Sequence, residues 1–204
     1  MRRVVNAILT VNGGYLLQLR DDIPSLTDAG KWGTFGGQIK DGEDPVAAFT
    51  REVFEETNLL VESPRLLGTI TVSGSRMLSS DVEFYIFHAD VSEQMNLFRC
   101  NEGQCGGIFL ADSLPVPLMS KYTRDFLYLH EYEKIRKTHT VVMCHGVFDV
   151  LHAGHLMHFD AAKQHGDFLI VSIVADRFVN KGPGRPIFPE EQRERILSAL
   201  RVVD

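Results

Sequence analysis

Short apolar runs, of the length that β-strands have, dominate the first part of the chain. The runs at 4–10 and 15–19 flank Asn12-Gly13-Gly14, where a tight turn with positive φ costs little, so they predict a β-hairpin. Further strand-like runs lie at residues 66–72, 82–89 and 107–111, and residues 32–39 form a short extended run that Gly36 and Gly37 break. The polar stretch 21–31 is predicted to be a loop.

Two segments of the same region have the period of an α-helix. Residues 45–57 follow Asp44, a plausible N-cap, and repeat apolar side chains on one face. Residues 122–136 show the same spacing and end in a basic turn. We therefore predict two helices among the strands.

Beyond the second helix, strands and helices alternate. Strand-like and helical segments follow one another at residues 140–144, 154–165, 168–174 and 189–200. This alternation predicts βαβ units on a parallel sheet. Seven of the eight histidines lie between His130 and His165, a shift in composition that supports a boundary near 137–139. We therefore predict two domains, 1–137 and 138–204.

Composition and charge exclude several classes of protein. The chain has 204 residues, of which 44% are hydrophobic and 24% charged, which excludes disordered, collagen-like and disulfide-scaffold proteins. A net charge of -6 argues against binding nucleic acid or an anionic membrane through bulk electrostatics. Three cysteines, and no apolar segment long enough to span a bilayer, lead us to expect a soluble protein of the reducing cytoplasm.

The most informative stretch of the chain is acidic. Glu52, Glu55 and Glu56 stand at positions i, i+3 and i+4 of the predicted helix 45–57, so three carboxylates share one face. Crowding raises the pKa of each carboxyl group unless a cation lies among them, and oxygen ligands favour Mg²⁺ or Mn²⁺. The alternative is a solvated acidic helix face, which is the usual explanation of a charge run.

Residues before and within the helix favour the metal site. Glu43 and Arg51 are expected to form an ion pair that ties the preceding loop to the helix. Gly36 and Gly37 allow backbone carbonyls to approach the same metal. The full spacing of glycine, glutamate, arginine and three glutamates therefore favours a metal site over a solvated face.

This spacing resembles the signature box of the Nudix hydrolases. The matching positions are Gly37, Glu43, Arg51, Glu52, Val53, Glu55, Glu56 and Leu59. One position departs from the box, because Asn58 stands where the family has glycine. Asparagine is the next-best residue for a left-handed helix end, so we expect the turn to survive.

The resemblance implies a fold and an activity for residues 1–137. The fold is an α/β/α sandwich with a mixed sheet, and the activity is metal-dependent hydrolysis of a nucleoside diphosphate linked to another moiety. By the same resemblance, Glu55 and Glu56 hold the metals, and Glu52 is a ligand or the base that activates water.

Other candidate residues lie outside the box. Family members often place another acid elsewhere in the chain, and Glu102 is our candidate, with Glu83 second. Trp32, just before the glycines, is expected to line the substrate pocket, the alternative being a place in the core.

A second constellation lies between the strand at 140–144 and the helix at 154–165. His152 and His155 stand three apart at the predicted helix N-terminus, where histidines and the helix dipole can bind phosphate groups. Gly146 allows a sharp turn after the strand. The alternatives are a zinc-binding pair and unrelated surface histidines.

This segment resembles the HxGH nucleotidyltransferases of the glycerol-3-phosphate cytidylyltransferase and heptose-phosphate adenylyltransferase type. The resemblance implies a nucleotide-binding site formed by Gly146, Phe148, Asp149, His152, Gly154, His155, Lys181 and Arg193. In that site the histidines bind the nucleotide triphosphate and stabilise the transition state, and Lys181 and Arg193 contribute cationic contacts.

Residues 138–204 resemble only the first half of that family's Rossmann-like parallel α/β domain. The family's later phosphate-binding Ser/Thr motif has no counterpart here, so we expect a truncated module, or one that needs a partner, to be inactive by itself. A half sheet leaves the strand at 168–174 poorly covered, and we expect homo-oligomers to form through it.

The sequence thus favours a cytoplasmic, Mg²⁺- or Mn²⁺-dependent Nudix pyrophosphohydrolase. Its expected partner is a small nucleoside diphosphate derivative, such as a nucleotide sugar, rather than nucleic acid or a membrane. One alternative is a cytidylyl- or adenylyltransferase that activates a sugar or polyol phosphate. The other is a nucleotide-binding module without turnover.

Overall fold

The computed structural model describes residues 1–26, 28–72 and 81–204. Within these residues the chain forms two compact units, Met1–Glu131 and Tyr132–Asp204. Residue 27 of the predicted loop 21–31 lies outside the described residues. None of the described helices is long and apolar enough to cross a membrane.

The first unit is built on a six-stranded mixed sheet. Its strands are β1 (Arg2–Val11), β2 (Gly14–Leu19), β3 (Trp32–Gly33), β4 (Arg65–Val72), β5 (Val82–Asp90) and β6 (Cys105–Phe109). The spatial order is β3-β2-β1-β5-β4, with β6 also paired to β2. β1 and β5 run parallel, whereas the other pairs are antiparallel. The predicted hairpin is confirmed, because β1 and β2 pair across Asn12 and Gly13, whose φ angles are 49° and 85°.

The run at 32–39 is broken at the glycines, as expected, but only its first two residues, Trp32 and Gly33, pair as a strand. β3 ends at Gly33, and beyond it only isolated bridges reach β1. Gly36 explains the break, because its φ is 132° and a Cβ there would lie 2.2 Å from the carbonyl oxygen of Val5. The segment after β3 therefore passes closely against β1 instead of continuing along β2.

Two helices cover the two faces of this sheet, α1 (Pro45–Thr57) and α2 (Lys121–Ile135). Successive residues of β1 point to opposite faces. On one face Leu9 belongs to a buried cluster with Phe49 of α1, and on the other Ile8 belongs to a cluster with Phe126 of α2. The result is the predicted α/β/α sandwich.

Local signals in the sequence determine the ends of α1. Asp44 is extended, and its carboxylate accepts the N–H groups of Val46 and Ala47 at 2.8 and 3.3 Å. At the other end Asn58 has φ 60°, and its N–H donates to the carbonyl of Phe54. The expectation that Asn58 supports a left-handed helix end is thus confirmed.

The second unit alternates strands and helices, as predicted. Its elements are β7 (Val141–Gly146), α3 (Ala153–Lys163), β8 (Phe168–Ile173) and α4 (Glu190–Leu197). β7 and β8 form a parallel pair, and Phe159 of α3 and Leu197 of α4 belong to one buried cluster with Cys144 and Leu169. Met143 points to the opposite face and is 57% exposed. The two helices therefore cover one face of this small sheet.

Candidate active site

Arg51 of α1 organises the acidic helix face. Its guanidinium donates two hydrogen bonds of 2.8 Å to the carboxylate of Glu43, one of 2.7 Å to Glu52 and one of 3.2 Å to Glu55. A further bond of 3.2 Å goes to the carbonyl of Gln38. Hydrogen bonds from Arg51, helped by the N–H of the adjacent loop, lower the pKa of Glu43 to about 2. The predicted ion pair therefore joins the loop to the helix.

Glu56 is the buried carboxylate of the site, with 4% of its surface exposed. Its Oε2 accepts the N–H of Gly36 at 3.0 Å, and Nε2 of Gln18 lies 3.5 Å from the same oxygen. Burial, with smaller contributions from the charges of Glu102 and Glu52, raises the pKa of Glu56 to about 8 against the effect of the Gly36 hydrogen bond. These three carboxylates therefore interact electrostatically.

Gln18 of β2 was not among the predicted site residues. It is 1% exposed, and its Nε2 also lies 3.4 Å from the carbonyl of Thr34. Its signal in the sequence is weak, a single amide within the otherwise apolar run of β2. Its position beside Glu56 makes it a residue that orients this carboxylate.

The two glycines bring backbone close to the acidic face. A Cβ at Gly37 would lie 2.5 Å from Oε2 of Glu52, so only glycine leaves that carboxylate its place. The carbonyl of Gly37 accepts the N–H of Val5 at 2.9 Å, which holds the segment against β1. The predicted approach of Gly36 and Gly37 carbonyls to a metal stays a prediction.

Glu102 stands on a loop fixed by backbone hydrogen bonds. The N–H of Asn101 donates to the carbonyl of Glu56 at 2.9 Å, and the Asn101 side chain donates to that of Glu55 at 3.0 Å. The loop ends where the N–H of Gln104 donates to the carbonyl of Leu19 at 2.7 Å. These bonds position Glu102 near Glu56, as its effect on the pKa of Glu56 indicates.

The remaining candidates of this unit lie in other surroundings. Glu83 binds Arg3 at 3.8 Å and accepts the hydroxyl of Tyr85 at 3.0 Å. The ring of Trp32 packs edge-on against Phe109, with centroids 4.7 Å apart, and adjoins the buried cluster on the α2 side of the sheet. These contacts are those of a core residue, which was the alternative to a place in the substrate pocket. The pocket role of Trp32 stays a prediction.

The donor set fits a hard divalent cation. Glu52, Glu56 and Glu102 supply only oxygen atoms, and the raised pKa of Glu56 reflects burial together with negative charge that a cation would offset. Glu55 points outward and is 55% exposed in its ion pair with Arg51. Among residues 1–26, 28–72 and 81–204, however, no three acidic, histidine or cysteine side chains are already grouped closely enough to hold a metal ion.

The second unit contains a cavity of about 380 Å³ at the predicted histidine loop. It is lined by Phe148, Asp149, Val150, His152, His155, Lys181 and Arg185. His152 caps α3, because its Nδ1 accepts the N–H of Gly154 at 3.1 Å, and its ring stacks on that of His155 at 4.0 Å. Burial, and then the charges of His152 and Lys181, lower the pKa of His155.

Asp149 joins the two loops that form this cavity. Its carboxylate accepts the N–H groups of Ile187 and Phe188 at 2.7 and 2.9 Å and a hydrogen bond of 2.8 Å from Arg185. Burial opposes ionisation, but these three donors lower the pKa of Asp149 to about 2. Asp149 thus positions the loop that carries Lys181. Arg185, a second cation in that glycine-rich loop, was not predicted as a site residue.

Arg193 differs from the expectation of a cationic contact with the nucleotide. It is fully buried, at 0% exposure. Its guanidinium donates to the carbonyls of Val147, Val174 and Phe188 at 2.7 to 2.9 Å and to Asp176 at 2.6 Å. Because these partners occupy its donors, Arg193 supports the loops behind the cavity instead of lining it. Gly146 contributes through its missing side chain, because a Cβ there would lie 2.9 Å from the ring of Phe148, which lines the cavity.

Two family models match the chain. The NUDIX domain matches residues 1–140, and the Cytidylyltransferase-like family matches residues 143–204. Among curated relatives, the Bifunctional protein HldE of Photobacterium profundum is 49% identical over 67 residues, which are 32% of this chain and 14% of the relative. The chain therefore spans only a small part of the length of that relative.

Solved structures resemble the first unit. A MutT NUDIX hydrolase from Burkholderia pseudomallei is 25% identical, with a TM-score of 0.54, over 63% of this chain and 96% of its own. A bifunctional NMN adenylyltransferase/ADP ribose pyrophosphatase from Francisella tularensis is 18% identical, with a TM-score of 0.51, over 65% of this chain and 41% of its own.

These matches confirm the α/β fold class, both predicted resemblances and the assignment to hydrolases that act on diphosphate bonds. Since the NUDIX model covers more than half of the residues, the chain belongs to the Nudix family and carries a cytidylyltransferase-like segment after it.

Proposed function

We propose that residues 1–137 form a divalent-metal-dependent pyrophosphohydrolase whose substrate is a nucleoside diphosphate linked to a second moiety. One observation carries the proposal, the buried carboxylate of Glu56 with the charges of Glu52 and Glu102 acting on it. Such crowding is unfavourable alone and becomes favourable around a cation. Mg²⁺ or Mn²⁺ would neutralise the diphosphate and lower the pKa of a water molecule.

Each residue has a part in this proposal. Glu52, Glu55 and Glu56 of α1 hold the metal together with Glu102, and Glu52 is alternatively the base that takes a proton from water. The Gly36 N–H fixes one oxygen of Glu56 and leaves the other for a ligand.

An ion pair and two backbone carbonyls complete the proposed site. Arg51 and Glu43 are positioning residues, because their ion pair holds the glycine loop and the helix in one arrangement. The carbonyls of Gly36 and Gly37 are further candidate ligands.

Nucleotide sugars and ADP-ribose are the substrates we propose first. The structurally similar protein from Francisella tularensis, by its name, combines an ADP ribose pyrophosphatase with an NMN adenylyltransferase. A chain in which a Nudix domain precedes a cytidylyltransferase-like segment fits the same area of nucleotide chemistry. Modified deoxynucleoside triphosphates are the alternative substrates, because the acidic helix would bind the metal and the diphosphate and does not select the group attached to them.

A hydrolysis panel tests this function. The full chain is incubated with Mg²⁺ and nucleotide sugars, ADP-ribose and modified deoxynucleoside triphosphates, and the products are identified by mass spectrometry. We expect a nucleoside monophosphate and a second phosphate from at least one substrate. Glu56→Gln should abolish hydrolysis and retain the fold, whereas Glu62→Gln, at an exposed position, should retain both. Full activity in Glu56→Gln would remove the metal assignment.

The cavity of the second unit favours a second candidate function. We propose that residues 138–204 are a separate domain that binds the triphosphate of CTP or ATP through His152, His155, Lys181 and Arg185, as a cytidylyl- or adenylyltransferase does. Pyrophosphate release from CTP or ATP that depends on an added sugar or polyol phosphate would establish it. Tight nucleotide binding without any product would instead indicate a non-catalytic module.

We also propose a cytoplasmic protein that binds neither nucleic acid nor membrane and that self-associates through the second unit. The exposed side chain of Met143 on the sheet supports the last point. Light scattering at micromolar concentration should give a mass above that of one chain, and Met143→Lys should lower it. A wild-type chain that stays monomeric would contradict self-association.

A further inference from the structure

The cavity of the second unit has positive charge left over for its ligands. Asp149 is the single acidic residue among the described residues that line it, and Arg185 already binds this carboxylate at 2.8 Å. The other lining side chains that can carry positive charge are those of His152, His155 and Lys181, and none of them forms an ion pair within the described part of the chain. An anionic ligand therefore meets no uncompensated carboxylate in this cavity.

The cationic groups of the cavity come from two different segments. His152 caps α3 and stacks on His155, whereas Lys181 and Arg185 belong to the glycine-rich loop that precedes α4. A nucleotidyl transfer brings two anions into contact, a triphosphate and a phosphate monoester, and their repulsion opposes reaction unless cations lie near both. Two groups of cations around one cavity meet this requirement, so the cavity suits a pair of phosphate ligands.

The proposed hydrolase releases a phosphate monoester of the class that such a transfer consumes. Hydrolysis breaks one bond between a phosphorus atom and the bridging oxygen of the diphosphate, and a bond to the oxygen of water replaces it. Water supplies the atoms that complete the two products, a nucleoside monophosphate and the phosphate monoester of the second moiety. If that moiety is a sugar or a polyol, the second product is a sugar or polyol phosphate.

We infer that the phosphate monoester released by the first unit is the acceptor that the second unit consumes, so that the chain exchanges the nucleotide of a nucleotide conjugate. This exchange rests on both functions proposed above. In the transfer, an oxygen of the monoester attacks the α-phosphorus of CTP or ATP, and the bond from that phosphorus to the α,β-bridging oxygen breaks. The sum of both steps converts a conjugate, a triphosphate and water into a nucleoside monophosphate, a new conjugate and pyrophosphate.

Such an exchange requires that the two units accept different bases. If both acted on the same nucleotide, hydrolysis would undo the transfer, and the chain would only convert a triphosphate and water into a monophosphate and pyrophosphate. The value of kcat/KM for hydrolysis should therefore be about tenfold or more higher for the original conjugate than for the new one, a ratio within reach of a site that forms hydrogen bonds with its substrate.

The test follows an isotope from one conjugate to the other. The full chain is incubated with Mg²⁺ and UDP-glucose, GDP-mannose or ADP-ribose, each ¹³C-labelled in the terminal sugar, together with CTP or ¹⁵N-labelled ATP. Mass spectrometry should show the labelled sugar phosphate first, and then a conjugate that joins the labelled sugar to the new nucleotide. Pyrophosphate should appear in an amount equal to that of the new conjugate.

Two variants separate the steps. Glu56→Gln should form no new conjugate from the labelled conjugates, and should form it again when the free labelled sugar phosphate is added. His155→Ala should release the sugar phosphate as the wild type does and leave it unconverted, and omission of the triphosphate gives the same comparison without a substitution. Glu62→Gln, at an exposed position, is the matched control and should behave as the wild type in both steps.

Each outcome decides a different point. If the labelled sugar phosphate persists while added glycerol 3-phosphate accepts a nucleotide, or if neither does, the exchange is overturned. Equal kcat/KM for hydrolysis of the original and the new conjugate would also overturn it. Absence of hydrolysis of all three conjugates, with transfer to the free sugar phosphates intact, would instead count against the proposed hydrolase.

Discussion

At the scale of single residues, the candidate active site depends on two glycines, because they leave room that a side chain would fill. Gly37 leaves room for the carboxylate of Glu52, which Arg51 holds from the other side at 2.7 Å. Gly36 similarly admits the backbone beside β1 and presents its N–H to Glu56. The carboxylates of the acidic helix therefore keep their positions only if glycines precede the helix at this distance along the chain. The spacing between the glycines and the glutamates thus has a steric origin.

A methyl group at Gly37 tests this steric account. We expect Gly37→Ala to displace Glu52, since the new Cβ would stand 2.5 Å from its oxygen, and to lower kcat about tenfold or more. The free energy of unfolding should fall by less than about 1 kcal/mol, because a flexible side chain can move aside.

Activity and urea denaturation measure the two effects. Gly68→Ala, at a position with open space around it, is the matched control and should leave kcat unchanged. Equal kcat in Gly37→Ala and the wild type would show that the position of Glu52 is not limiting.

At the scale of elements, α1 ends on an asparagine in the left-handed region. Asn58 has φ 60°, and its side chain donates to the carbonyl of Leu97 at 3.2 Å. Asn58→Ala should lower the free energy of unfolding by about 1–2 kcal/mol, because alanine is strained there and the hydrogen bond is lost.

The glycine of the family signature provides the comparison at this position. Asn58→Gly should lie within about 0.5 kcal/mol of the wild type, since relief of strain offsets the lost bond. Urea unfolding followed by the fluorescence of Trp32, the single tryptophan of the chain, measures both variants. An alanine variant as stable as the glycine variant would show that the left-handed backbone at position 58 causes no strain.

The loop contact of Asp149 predicts a pH dependence in the second unit. Its folded pKa of about 2 is below its ordinary value, so the stability that it contributes is present above the unfolded pKa of about 4. That stability is lost as the pH falls from about 4 through 2. Amide hydrogen exchange of β7 and β8, corrected for intrinsic rates, should show protection declining in this window.

Asp149→Asn removes this titration and should abolish the decline, at the cost of lower protection near neutral pH. Asp160→Asn, on the exposed side of α3, is the control and should behave as the wild type. A decline that persists unchanged in Asp149→Asn would assign the acid sensitivity to another group.

How far the sequence predicts these elements depends on the range of the interaction. The N-cap at Asp44, the turn at Asn58 and the ion pair of Arg51 with Glu43 are local, so spacing along the chain was enough to predict them. The glycines at 36 and 37 indicated a break after β3, but the end of pairing already at Gly33 was not predictable, because the approach of the following segment to β1 decides it.

The long-range members of the site were missed for the same reason. Gln18 precedes Glu56 by 38 residues, and only the fold places them together. For Arg193 the sequence suggested a ligand contact, because spacing cannot distinguish a cation that faces a cavity from one whose donors are satisfied by buried carbonyls.

At the scale of the whole molecule, the buried clusters of the two units share no residue, and each unit has its own candidate site. We therefore expect the two sites to respond independently to substitution. Glu56→Gln should abolish hydrolysis without changing the Kd for CTP or ATP at the second unit, and His155→Ala should do the reverse. The double variant should combine both losses, with free energies of unfolding additive within about 0.5 kcal/mol. A change of nucleotide affinity in Glu56→Gln would reveal coupling between the units.

The loop that carries Glu102 has a consequence for evolution. It is fastened to α1 and to β2 largely through main-chain groups, which any residue other than proline can supply. Gly103 is the exception, because its φ is 77° and a Cβ would lie 2.6 Å from the carbonyl of Leu19. Saturation mutagenesis under selection for hydrolysis should therefore tolerate many substitutions at 99–101 and few at 102–103. Descendants of this chain could vary the loop's side chains, and with them the preferred substrate, while the metal chemistry stays constant.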